Sequence, residues 1–116
     1  MEKIIKIGEK EVLLKANAMN ALIYRSNFGN DIFADEAKIV SVAKDEKYGE
    51  IEIIKLMQIV WTMAKAADSN IEPFNEWVSN FEEFPVFDVL TDIIELILMN
   101  FSSKTNIKNS MAAAKK

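Results

Sequence analysis

The 116-residue chain contains no histidine and no cysteine. Zinc fingers, iron–sulfur sites, disulfide scaffolds, thiol nucleophiles and histidine-based triads are therefore excluded. Any chemistry would rest on carboxylates, lysines and hydroxyls. Asp88, Asp92 and Glu95, with Thr91, recur at i, i+3, i+4 and i+7. That spacing puts three carboxylates on one helical face, where a divalent cation could gather. Solvated helices commonly carry such a face, and no loop with EF-hand spacing accompanies it. Glu82 and Glu83 are adjacent and point to different sides of a helix, a poor geometry for an acid–base pair. Three scattered glycines form no phosphate loop. Lys55 and Lys65 belong to a narrow polar stripe of an apolar helix rather than to a Schiff-base pocket. The expectation is a protein without catalytic residues, cofactor or metal, and hence not an enzyme.

The elements that carry these residues read as a single domain over 1–103 with a flexible tail at 104–116. A β-hairpin is predicted over 3–15. Ile5 and Ile7 alternate with Lys6, Gly8-Glu9-Lys10 supplies the turn, and Val12, Leu13 and Leu14 return. Helices follow at about 18–28, 31–43, 50–67, 73–81 and 86–101. Asn17 is placed to cap the first helix and Gly29 to end it. In the second, Ile32, Phe33, Ile39, Val40 and Ala43 are apolar, while Asp35, Glu36 and Lys38 are expected to stay wet. In the third, at about 100° per residue, Lys55, Gln58, Thr62 and Lys65 fall on one stripe and apolar residues cover most of the rest. Such a helix is expected at the centre, with Trp61 and Met63 in the core. The fourth is short, with Phe74, Trp77, Val78 and Phe81 on one side. In the fifth, Leu96 and Leu98 widen the apolar arc beyond what one covering layer needs. The fold class is mainly α: an N-terminal hairpin and about five helices in a small bundle, α+β by strict count.

Charge is unevenly spread. Ten basic and ten acidic residues lie in positions 1–65, whereas eight carboxylates and no basic residue lie between Lys65 and Lys104. The net charge of −4 argues against nucleic acid as a partner. The longest uncharged stretch in the helical middle, 56–64, is nine residues, far short of the ~20 that span a bilayer. With no secretory signal, the cytoplasm is the expected compartment. The acidic block and the excess apolar surface together predict a face for a basic, amphipathic partner helix. Its candidate contacts are Trp77, Phe81, Asp88, Asp92, Glu95, Leu96, Leu98 and Phe101. Self-association is expected as well, through the hairpin edge or the wide apolar arc.

A hairpin is followed by Tyr24-Arg25-Ser26-Asn27-Phe28-Gly29-Asn30-Asp31, then by Trp61-Thr62-Met63-Ala64-Lys65-Ala66-Ala67-Asp68, and then by an amphipathic helix with Trp77. Over roughly residues 3–100 this order resembles the tail assembly chaperones of long-tailed phages and prophages of Gram-positive bacteria. The matching positions are Tyr24, Arg25, Phe28, Gly29, Asp31, Trp61, Met63, Lys65 and Asp68, and Arg25 is placed to pair with Asp31. The resemblance implies a non-enzymatic role in the host cytoplasm. Such a protein binds the tape-measure protein, helps bring tail-tube protein to it and is absent from the mature virion. A small adaptor or regulatory domain that binds another bacterial or phage protein is the alternative reading.

Overall fold

The structure, a computed structural model, describes residues 1–101; the expected tail at 104–116 lies outside them. It contains a two-stranded antiparallel hairpin, β1 (Glu2–Ile7) and β2 (Lys10–Lys15), followed by five α-helices. These are α1 (Met19–Phe28), α2 (Ile32–Lys44), α3 (Ile53–Ala67), α4 (Phe74–Ser79) and α5 (Val86–Phe101), with one 3₁₀ turn at Tyr48–Glu50. Mainly α with an N-terminal hairpin is therefore the observed class.

The register pairs Ile7 with Lys10, so Gly8 and Glu9 alone make the turn and Lys10 already belongs to β2. Gly8 adopts φ 63°, the left-handed conformation that the first position of a two-residue hairpin turn demands. The inward residues Ile5, Ile7 and Leu14 are buried. They seat β2 on α3 and β1 on α5.

Two asparagines join the hairpin to α1. Asn17 Oδ1 accepts from the Met19 N–H at 3.0 Å, and the Asn17 N–H donates to Asn20 Oδ1 at 3.1 Å. The first bond is an Asx turn to the residue two on, and the second ties the chain before the helix to Asn20. The cap of α1 falls at Ala18, which makes no side-chain cap, and not at Asn17 as expected. Asn20 is fully buried, and its Nδ2 donates back to the Lys15 carbonyl at 3.0 Å. Gly29, at φ 76°, ends α1 with its N–H on the Arg25 carbonyl. Asp31 then caps α2 by accepting from the Phe33 N–H at 2.9 Å. Its carboxylate therefore serves the helix start, and no Arg25–Asp31 ion pair occurs among the described residues.

Helix α3 is central, but it starts at Ile53 rather than near residue 50, because Tyr48–Glu50 tighten into the 3₁₀ turn. Leu56 and the run Ile59, Val60, Trp61, Thr62, Met63 and Ala64 are all buried. Thr62 departs from the expected wet stripe. Its hydroxyl is satisfied within the helix by donating to the Gln58 carbonyl at 2.8 Å, which makes burial inexpensive. Ile54, by contrast, is 56% exposed.

A polar clasp joins three helices across this core. The Tyr24 hydroxyl donates to Asp35 Oδ2 at 2.7 Å, and Lys55 Nζ donates to Asp35 Oδ1 at 3.1 Å. Burial, and then the Asp35 carboxylate, hold the Tyr24 hydroxyl protonated well above its ordinary range. Glu36, expected to be wet, is instead 1% exposed, because its turn of α2 faces inward beside Ile32 and Ile39. Its Oε2 meets no hydrogen-bond partner among the described residues. Burial, with a smaller contribution from the Asp31 charge, pushes its carboxyl up to about 8.

Helix α2 ends without a glycine. Glu46 takes φ 58°, while the Lys47 N–H reaches the Val42 carbonyl and the Glu46 N–H the Ala43 carbonyl, the paired bonds of a Schellman cap. Glu46→Gly should relieve the side-chain strain and stabilise the fold by about 1 kcal/mol, read as a higher urea midpoint. For Glu36, the folded state keeps a proton that the unfolded chain releases at ordinary carboxylate pH. Stability should thus be greatest at acid pH and fall as pH rises from about 5 towards 8, by at most about 1.4 kcal/mol per unit. Urea titrations at stepped pH should show this decline in the wild type and a flatter profile in Glu36→Gln; equal slopes would contradict the assignment.

Candidate functional site

Helices α2 and α5 run antiparallel. Phe33, at the start of α2, meets Phe101 at the end of α5 with ring centroids 4.8 Å apart. Tyr48, just beyond α2, meets Phe87 at the start of α5 edge-on at 5.2 Å. Between these aromatic pairs lies a groove of about 540 Å³. Val40 and Ala43 form its α2 wall, Leu90, Ile94 and Leu98 its α5 wall, and Lys44 stands at the rim. At 1.5 Å per residue, Phe87 to Phe101 spans about 20 Å, or nearly four helical turns.

Helix geometry explains why the groove stays open. Val89, Leu90, Ile93, Leu96 and Ile97 point into the core and are buried. Ile94 and Leu98 lie farther round the helix, beyond the reach of α3. The α2 side chains opposite them, Val40 and Ala43, are too short to fill the gap. Phe87 and Phe33 remain 62% and 57% exposed. No acid–base pair lines the groove. The Thr91 hydroxyl is already donated to the Phe87 carbonyl at 3.0 Å. The site can therefore bind apolar side chains by excluding water.

The expected contact residues do not form one face. Trp77 is 5% exposed and Leu96 1%, so both are core residues rather than surface contacts. Leu96 packs on the flank of α5 opposite Leu98, and Trp77 is held edge-on by Phe81 at 4.7 Å. Phe81 is half-buried near the hairpin turn, with Lys10 Nζ 5.5 Å above its ring, away from the groove. Leu98 lines the groove, whereas Phe101 packs on Phe33 beyond the lining residues. The carboxylates occupy the other flank of α5, against β1. Lys3 Nζ lies 2.9 Å from Glu95 and 3.6 Å from Asp92, and the Glu95 hydrogen bond raises the Lys3 pKa. Asp88 is exposed, close to Lys6 and Glu83. Among the described residues, no three acidic groups come together to hold a metal ion.

The motif positions prove to be caps and core. Tyr24 and Phe28 stack edge-on at 5.3 Å, and Phe28 meets both Trp61 and Phe74 at 5.5 and 5.3 Å. Trp61 Nε1 donates to the Glu72 carbonyl at 2.9 Å, and Met63 is fully buried. Lys65 Nζ reaches the Ser69 carbonyl at 2.6 Å, and Asp68 accepts from the Asn70 N–H at 3.0 Å, closing the turn after α3. Gly29 and Asp31 stop one helix and start the next, while Arg25 is exposed.

Sequence reasoning missed Phe87, Tyr48 and Ile94, and it assigned Phe33, Val40 and Ala43 simply to the apolar side of a helix. The available signal was that both α2 and α5 carry more apolar arc than one neighbour can cover. No helix among the described residues is long and apolar enough to cross a membrane. No protein-family profile, curated protein or solved structure matches the chain.

Surface and core positions separate in a stability test. Phe87→Asp and Leu98→Asp should shift the melting temperature by only a few degrees, since neither side chain is fully buried. Trp77→Ala and Leu96→Asp should each cost about 3–5 kcal/mol or abolish folding. Thermal melts followed by circular dichroism would distinguish the two classes.

Proposed function

We propose that this protein is a tail assembly chaperone of the long-tailed phage type and that the α2–α5 groove receives an amphipathic helical segment of the tape-measure protein. The single observation that carries a binding role is the open apolar groove with the exposed Tyr48 and Phe87 rings at one end. The chaperone identity itself rests on the resemblance in motif order.

An amphipathic helix laid in such a groove buries residues at i, i+3 or i+4, and i+7. The α5 wall from Leu90 to Leu98 spans about 12 Å, which matches roughly two turns of an incoming helix. Asp88 is exposed on α5 three residues before Thr91 of the groove lining, whereas Glu95 is paired with Lys3 on the β1 flank. Covering the apolar stripe of the incoming helix keeps a long helical chain from aggregating through it. Tail-tube protein would then assemble on the protected chain, in the host cytoplasm, with the chaperone leaving before the particle is complete.

Co-expression with the tape-measure protein of the same gene cluster tests this reading. The expected result is a soluble complex that is lost in Phe87→Asp/Leu98→Asp while the variant remains folded. A tape-measure protein that stays insoluble beside the wild-type chain would overturn the chaperone reading. A complex that survives the double substitution would overturn the groove. Capture of a helix from a different phage or bacterial protein, abolished by the same substitutions, would favour the adaptor alternative.

A further inference from the structure

The outward face of the hairpin is a second exposed surface, and neither the fold nor the groove uses it. Three cross-strand pairs make it up: Glu2 opposite Lys15, Ile4 opposite Leu13, and Lys6 opposite Glu11. Side chains two apart on a strand share a face, so all six stand on the side of the hairpin away from the core, with Lys6 at its edge beside Asp88 and Asp92 of α5. Ile4 is 62% exposed and Leu13 41%, placing a large apolar pair at the centre of the face. Around it the charges alternate at the four corners. Along β1 they run negative then positive, and opposite them on β2 positive then negative.

We propose that this face pairs with the same face of a second copy of the chain, giving a two-fold symmetric dimer. The charge pattern is self-complementary. A two-fold axis lying between two such faces and running along the strands sets Glu2 over the second copy's Lys15, Ile4 over its Leu13 and Lys6 over its Glu11. An axis running across the strands sets Glu2 over Lys6 and Lys15 over Glu11, with Ile4 and Leu13 each over its own counterpart. In both arrangements every carboxylate meets an ammonium and the apolar centre is covered. The four charges sum to zero, so the face offers no net field to a strongly basic or acidic foreign partner. Stacked sheets lie about 10 Å apart, a distance that extended Lys and Glu side chains bridge.

Six side chains cover far less than the ~800 Å² per partner of a standard stable interface. The dimer is therefore weak, reversible and sensitive to salt. This association is independent of what the groove binds.

Sedimentation velocity on the full chain, from about 10 µM to about 1 mM, tests the proposal. The expected result is a reversible monomer–dimer equilibrium that weakens at about 0.5 M salt. Ile4→Thr/Leu13→Thr keeps residues suited to strands and should weaken dimerisation at least tenfold with an unchanged circular dichroism spectrum. Lys6→Glu, a pure surface change, should weaken it as well and stands as the second variant should the double substitution misfold. Adding Glu11→Lys to Lys6→Glu selects the axis. Recovery of the dimer supports the axis along the strands, and a further loss supports the axis across them. A chain that is monomeric throughout, or a dimer that withstands Lys6→Glu or the folded threonine variant, would overturn the proposal. So would a dimer abolished by Leu98→Asp, which would place self-association in the groove.

Discussion

Burial of α3 is the constraint on which the rest of the structure depends. Seven of its residues, from Leu56 to Ala64, are buried, and they point in nearly every direction around the helix axis. One neighbouring layer covers only a stripe of about 100°, so a helix of this kind needs partners on all sides. The hairpin supplies one, through Leu14 and its neighbours on β2. Helices α1 and α2 supply others, and α4 closes the far end through the aromatic cluster of Phe28, Trp61 and Phe74. Helix α5 completes the enclosure while also seating β1. An isolated two-stranded hairpin is marginal in water, so β1 and β2 owe their order to this packing as much as α3 owes its burial to them.

Polar groups then select one arrangement from the many that apolar burial alone would permit. Asp35 ties α2 to Tyr24 of α1 and to Lys55 of α3. Asn20 ties α1 to the last carbonyl of β2, and Lys3 ties β1 to α5. Each contact links elements that hydrophobic burial could otherwise let slide past one another. Glu36 runs against this pattern, since a buried carboxyl with an unpartnered oxygen is costly when ionised. It persists because the proton it retains makes it neutral, which exchanges a large electrostatic cost for a smaller one of protonation.

Helical period and capping chemistry were legible from the residues. The hairpin, Gly29 as a helix stop, the central place of α3 and the limits of α5 all follow from local rules. What local rules lack is the identity of the neighbour that covers each apolar position. Leu96 and Leu98 are two residues apart and alike in type, yet one is buried in the core while short α2 side chains leave the other half open. Trp77 looked available because its helix is short, but a short helix lying across an aromatic cluster can bury its one large ring completely. Thr62 and Glu36 fail for a related reason. A hydroxyl satisfied by its own helix, or a carboxyl that holds its proton, enters a core that residue type alone would forbid. The motif residues Tyr24, Phe28, Trp61 and Met63 converge as packing, so their order encodes the scaffold and leaves the binding surface to be set by the residues between them.

The two free surfaces lie on either side of one element. Helix α5 presents Ile94 and Leu98 to the groove on one flank, and on the other it anchors β1, whose outward residues form the hairpin face. Occupying the groove leaves that face clear, because the hairpin packs on the flank of α5 turned away from the groove. An elongated helical partner could then hold several copies side by side, each through its own groove. Under such tethering a weak face-to-face contact gains strength from effective concentration rather than from additional area. Weakness in solution is then useful: copies without a partner stay apart, and copies already held on a common chain associate. The alternating charges of the hairpin suit this role, since they sum to zero and contribute little attraction at a distance.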